Sequence, residues 1–151
     1  MKLFQKKKNN KGFSLVELIV VVAIMAVLLG VLVPTLVRHI ETSKQSKDLS
    51  GIAEIANSME IALANEKFSD LDVVITCTGG TVTVTKDATT IGTTTGDTLS
   101  ADYVNEVLNN LKNQADSFEF KCSSKKYKAA DAVFTLKNEH VEATLGGDAV
   151  E

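Results

Sequence analysis

The chain has 151 residues, enough for one domain. Its formal net charge of −3 hides an uneven distribution: the first twelve residues, MKLFQKKKNNKG, hold five Lys and no acid, which leaves eleven cations against nineteen acids in the remainder. An acidic body argues against direct nucleic-acid binding, which needs Lys and Arg to neutralise phosphates, and two Cys are too few for a disulfide framework.

Phe13 to Val37 reads FSLVELIVVVAIMAVLLGVLVPTLV, with Glu17 as its one charge. At ~1.5 Å per residue a helix of this length spans roughly 38 Å, more than the ~30 Å hydrocarbon core of a bilayer. The lysines precede it, so the tail should stay in the cytoplasm and the rest of the chain should face outside. A secretory signal would need a small-residue cleavage site after the apolar run, and Ala23 and Ala26 have the wrong spacing. A plain anchor explains length and orientation but not Glu17. A core helix conflicts with an apolar character that continues all round.

Glu17 separates these readings. A carboxylate in an apolar environment is costly unless paired, and no Lys, Arg or His lies within one helical turn after it. Cleavage before Phe13 would create an α-amino group with a reference pKa near ~7.7–8.0, about one turn from Glu17. A shift of one subunit along an axis can bring the amine of one chain to the carboxylate of another.

Lys11-Gly12-Phe13-Ser14-Leu15-Val16-Glu17-Leu18 resembles the processing site of type IV pilins and pseudopilins, with a short leader like that of the type IVa group. The resemblance implies cleavage between Gly12 and Phe13 by a prepilin peptidase, N-methylation of Phe13, and a role for Glu17 in recruiting and registering each incoming subunit. It also implies that the helix between Gly30 and Pro34 can kink or unwind locally when it leaves the bilayer for a fibre. A proline inside a helix costs ~3 kcal/mol, and a simple kink is the other reading. The likeness is close over about residues 6–45 and architectural afterwards.

After Arg38-His39-Ile40-Glu41 an amphipathic stripe appears, with Leu49, Ile52, Ala56, Met59 and Leu63 at three- and four-residue steps. The helix is expected to run from about Phe13 to Asn65, with Gly51 interrupting at a cost of ~1 kcal/mol against Ala. His39 is isolated and reads as a solvated or headgroup-level residue. Val73–Cys77 and Thr81–Thr85 are β-rich and separated by Thr78-Gly79-Gly80, which predicts a hairpin. Lys86 to Thr98 reads as a Thr- and Gly-rich loop, and about Ser100–Asn113 as a short amphipathic helix. Three alternating strands follow, with shared faces Phe118, Phe120, Cys122; Ala132, Phe134, Leu136; and Val141, Ala143, Leu145.

The expected fold is α+β, of the type IV pilin kind: a long N-terminal helix whose apolar half protrudes and whose amphipathic half packs on an antiparallel sheet. The expected divisions are a removable basic leader, 1–12; a transmembrane and assembly helix, 13–37; its amphipathic continuation, 38–66; and a globular head, 67–151. Cys77 and Cys122 fall on apolar strand faces. Outside the cytoplasm a disulfide between them is chemically open and would contribute roughly 4 kcal/mol by loop closure; two buried free thiols are the other reading.

No G-x-S-x-G, H-E-x-x-H, C-x-x-C or phosphate loop is present, so neither an enzyme nor a cofactor or metal site is expected. Asp70 with Asp72, or Asp97 with Asp102, could touch a cation but lacks the spacing of a calcium loop. Lys125, Lys126 and Lys128 read as a solvated loop, or as a contact between subunits with the acidic surface. The resemblance implies a pilus subunit for motility, adhesion or biofilm formation; its partners would be other pilin copies, a prepilin peptidase, the assembly machinery and, before assembly, the membrane. A pseudopilin of a type II secretion or competence apparatus is the alternative, and a membrane-tethered binding module that never polymerises is an alternative of another class. The Lys- and Asn-rich leader and sparse Cys suit a Gram-positive source.

Overall fold

A computed structural model describes residues 12–111 and 116–150. Most of the expected leader, Lys11 included, and the expected last turn of the second helix lie outside the described residues. The chain divides into two units, Met1–His39 and Ile40–Glu151.

Helix α1 runs from Leu15 to Leu63, with Pro34 inside it. In the first unit its residues are exposed throughout, and a helix apolar on every side is one that a membrane or other helices would cover. In the second unit the stripe predicted from spacing is the buried one: Ile52, Ile55, Ala56, Met59, Ala62 and Leu63 enter the core, and Leu49 is half-buried. Gly51 does not break the helix. A Cβ there would lie 2.1 Å from Cε2 of Phe120, so its missing side chain makes room for that ring.

Seven strands follow: β1 Val73–Cys77, β2 Thr81–Thr85, β3 Thr93–Gly96, β4 Ser117–Lys121, β5 Ala132–Lys137, β6 His140–Leu145 and β7 Asp148–Val150, with helix α2 at Ala101–Leu111 between β3 and β4. They form two antiparallel sheets, one ordered β3-β1-β5-β6-β7 and the other pairing β2 with β4. With the long helix leading into antiparallel sheet, the layout is α+β and type IV pilin-like.

The expected β1–β2 hairpin does not form. β1 pairs with β3 and β5, and β2 pairs with β4. Thr78-Gly79-Gly80 carries the chain from one sheet to the other. Gly80 sits at φ +66 with its amide on the Ala130 carbonyl and its own carbonyl taking the Cys122 amide; a Cβ would come within 2.5 Å of the Tyr127 carbonyl oxygen. The Thr-rich segment read as a loop contains β3, an edge strand exposed on most of its length.

β5 and β6 alternate as expected, with Ala132, Phe134, Leu136, Val141, Ala143 and Leu145 buried. Each of the last two hairpins has two residues between its closing pair, Asn138-Glu139 and Gly146-Gly147, all with positive φ, the pattern of a type I′ turn. Helix α2 buries Tyr103, Val104, Val107, Leu108 and Leu111. It is tied to α1 by Tyr103, whose hydroxyl donates to the Met59 carbonyl at 3.1 Å, and by Asn110, whose Nδ2 donates to the Ser58 carbonyl at 3.2 Å. Burial pushes the Tyr103 phenol well up, so it stays protonated and keeps donating. The Phe68 ring packs edge-on against Tyr103, centroids 5.3 Å apart.

Candidate assembly site at the helix N-terminus

Gly12, Phe13 and Ser14 precede α1. A Cβ on Gly12 would meet nothing within 4 Å, and Phe13 is 88% exposed. Ser14 caps the helix: its carbonyl accepts the Leu18 amide at 3.2 Å. Glu17, in the first turn, returns its Oε2 to the Ser14 amide at 2.9 Å. Ser-x-x-Glu with this bond is the Glu half of a capping box, and an anion in the first turn also suits the positive end of the helix. The Phe13 nitrogen is the next backbone nitrogen before the one Glu17 holds. The carboxylate is thus held at the backbone one residue after Phe13.

Beyond Glu17 the helix presents only apolar side chains as far as Val33, and every residue from 12 to 40 is exposed. By length and composition α1 is able to cross a membrane. Pro34 has no amide to give the carbonyl of Gly30, four residues before it, so the two predicted flexibility residues are the two ends of one missing helical bond. Next to that gap the Thr35 hydroxyl donates to the Val31 carbonyl at 3.3 Å.

Cys77 and Cys122 are buried, free thiols. The Cys77 thiol donates to the Ile91 carbonyl at 3.3 Å. Burial raises both to about 11, and at Cys122 the charge of Asp48 adds to it. Among the described residues no group of three or more His, Cys, Asp or Glu could hold a metal ion. Asp97 meets Asp72 rather than Asp102, its Oδ2 accepting the Asp72 amide at 3.0 Å.

Two helix carboxylates whose role is not readable from the sequence organise the segment after β4. Asp48 is 1% exposed and accepts from the Ser123 amide at 2.9 Å, the Ser123 hydroxyl at 3.2 Å and the Ser124 amide at 2.8 Å. Glu41, one heptad earlier on the same face, accepts the Lys125 amide at 2.5 Å. Ser124 then starts a turn, its Oγ taking the Tyr127 amide and its carbonyl the Lys128 amide. Asp148 closes the other side, bonded to Lys126 Nζ and the Tyr127 hydroxyl. Those two donors hold the Asp148 carboxyl below its usual value. In the Asp48 and Glu41 contacts only the helix carboxylate could have been noticed in the sequence; its donors lie 75 and more residues away.

The family described as the prokaryotic N-terminal methylation motif matches residues 7–33, the stretch that contains Gly12, Phe13 and Glu17. Taken with the apolar helix and the antiparallel sheet, this makes the chain type IV pilin-like. A protein of Clostridium perfringens (strain 13 / Type A), "Prepilin peptidase-dependent protein A", is 37% identical over 81 residues, which is 52% of this chain and 58% of that relative. The match thus spans little more than half the length of the relative. No solved structure matches the chain. The matched motif and an apolar helix long enough to cross a membrane thus coincide in one stretch of the chain.

Proposed function

We propose that this chain is the structural subunit of a type IV pilus, made as a membrane-held precursor, cut between Gly12 and Phe13, N-methylated on Phe13 and polymerised through α1. The observation that carries this reading is the capping geometry at the head of an exposed apolar helix: Glu17, the one charge between Leu15 and Val37, is aimed at the backbone beside Phe13. In a fibre core the apolar side chains of neighbouring helices bury one another, and each Å² so kept from water contributes ~25 cal/mol. An unpaired carboxylate would oppose that burial, whereas one paired with the Phe13 amine of a neighbour favours a single register. The name of that relative, which makes it dependent on a prepilin peptidase, supports the same processing here.

The role is structural, in surface motility, adhesion or biofilm formation, and the partners are further copies, the prepilin peptidase and an assembly machine. A pseudopilin of a secretion or competence apparatus shares this N-terminal physics and is the second reading. The test is mass spectrometry of filaments sheared from cells. Methylated Phe13 as the N-terminus of a protein in long fibres is the expected result. Intact Met1 and Lys11-Gly12 in a chain confined to the membrane would overturn it. Processed Phe13 without fibres would favour the pseudopilin.

A further inference from the structure

The charges of the second unit are separated along α1. Lys44 and Lys47 lie on the helix between Glu41 and Asp48, and Lys121, Lys125 and Lys128 lie on the segment those two carboxylates hold. All five lysines are exposed, and among the described residues none of them forms an ion pair. Glu41, Asp48 and Asp148 are bonded to donors of this same segment, and Asp131 lies beyond it. This end is therefore net positive although the chain as a whole is acidic.

From Asp48 the helix runs on to Leu63, about 22 Å at ~1.5 Å per residue. Past that end, Asp70, Asp72 and Glu139 line one cleft of about 390 Å³, with Lys137, 3.8 Å from Asp72, as its sole cation. Glu142 and His140 border the next cleft, and Glu60 meets His140 at 3.0 Å. The end of the unit farthest along α1 is net negative.

The consequence rests on the polymer reading above. Copies that enter a fibre from one membrane through one helix all point the same way. Like ends then never face each other, and the contact between copies is heterologous, one surface against a different one. We infer that the lysine-bearing segment Lys121–Lys128 of one copy docks on the acidic end of a second copy, against Asp70, Asp72 and Glu139. Opposite fields also steer the incoming subunit, and a mismatch of like charges there is costly.

The test uses the full-length chain in cells that assemble it. Three variants are compared with wild type: Lys125→Glu with Lys128→Glu, Asp70→Lys with Glu139→Lys, and all four together. Each charge reversal alone should lower sheared filament about tenfold, and the four-residue swap should restore it to within about twofold, because the attraction is rebuilt with its signs exchanged. Protease resistance of the membrane-held precursor, equal in all four proteins, shows that the variants fold. Unchanged filament yield in both reversals, or a swap that fails to restore it, overturns the contact. If the lysine reversal instead leaves filaments intact and raises amide exchange of residues 121–128 in precursor held in phosphatidylglycerol vesicles, the segment faces lipid and the inference is overturned in favour of a membrane contact. A wild type that yields no filaments defeats the pilus reading and this contact together.

Discussion

Burying a carboxylate strips its hydration, and Asp48 recovers that loss from the donors of Ser123 and Ser124. Burial alone raises its pKa; the hydrogen bonds from Ser124 and Ser123 lower it by more, and the net displacement is downward. A carboxyl whose folded value is depressed contributes stability that is fully present above its unfolded value near ~3.9 and is lost as pH falls through the lower folded value. The contact is therefore at full strength at neutral pH and fails only in acid. Asp48→Ala leaves the Ser124 amide buried with no acceptor and should cost about 2–4 kcal/mol, with Asp48→Asn costing less because one acceptor remains. Denaturant unfolding of the full chain in detergent, read by the appearance of a reactive Cys122 thiol, measures both, and equal midpoints for all three proteins would refute the assignment. The same readout tests the cysteines. With thiols near 11, native protein should resist iodoacetamide at pH 7, while denatured protein without reductant should take two alkyl groups, one on Cys77 and one on Cys122.

At the level of elements, the contact between α1 and β4 is set by a glycine that costs the helix stability. Gly51→Ala would improve helix propensity by about 1 kcal/mol, but its Cβ overlaps the Phe120 ring, and forced repacking costs about 1–3 kcal/mol. The single variant should lower stability, and Gly51→Ala in a Phe120→Leu background should lower it less or raise it. A double-mutant cycle with no coupling would show that the ring moves aside freely. What the sequence disclosed at this scale follows from the range of each interaction. Both helices and the faces of β5 and β6 were legible because period 3.6 and period 2 are written within a few residues. The β1–β2 hairpin was misread because Thr78-Gly79-Gly80 reports a change of direction and says nothing about which strand is the partner; β2 finds β4 across more than thirty residues. β3 escaped notice because an exposed edge strand of Thr and Gly has no buried face to alternate. Asp48, Gly51 and Glu41 were unreadable for the same reason: their partners all come from the segment around β4, far away in the chain.

For the molecule as a polymer, the question is whether Glu17 matters as a helix cap or as a charge. The two roles use the same carboxylate, whose Oε2 holds the Ser14 amide, one residue after Phe13. They separate by substitution. Gln at this position keeps an oxygen that can accept the Ser14 amide, as the capping box allows, but carries no charge to meet a methylated amine. Ala removes both. Loss of the cap costs about 0.5–2 kcal/mol at one helix end, small beside the lipid-driven insertion of a 25-residue apolar run. Both variants should therefore insert and be processed like wild type. If the charge sets the register between copies, Glu17→Gln and Glu17→Ala should both lose filaments, by at least about tenfold, since an unpaired neighbour's amine is left in an apolar core. If Glu17→Gln assembles as well as wild type while Glu17→Ala does not, the cap suffices and register must come from packing and from contacts between the heads. Quantifying sheared filaments against membrane-held precursor for the three proteins decides between the two, because only the ratio reports assembly once insertion and cleavage are equal.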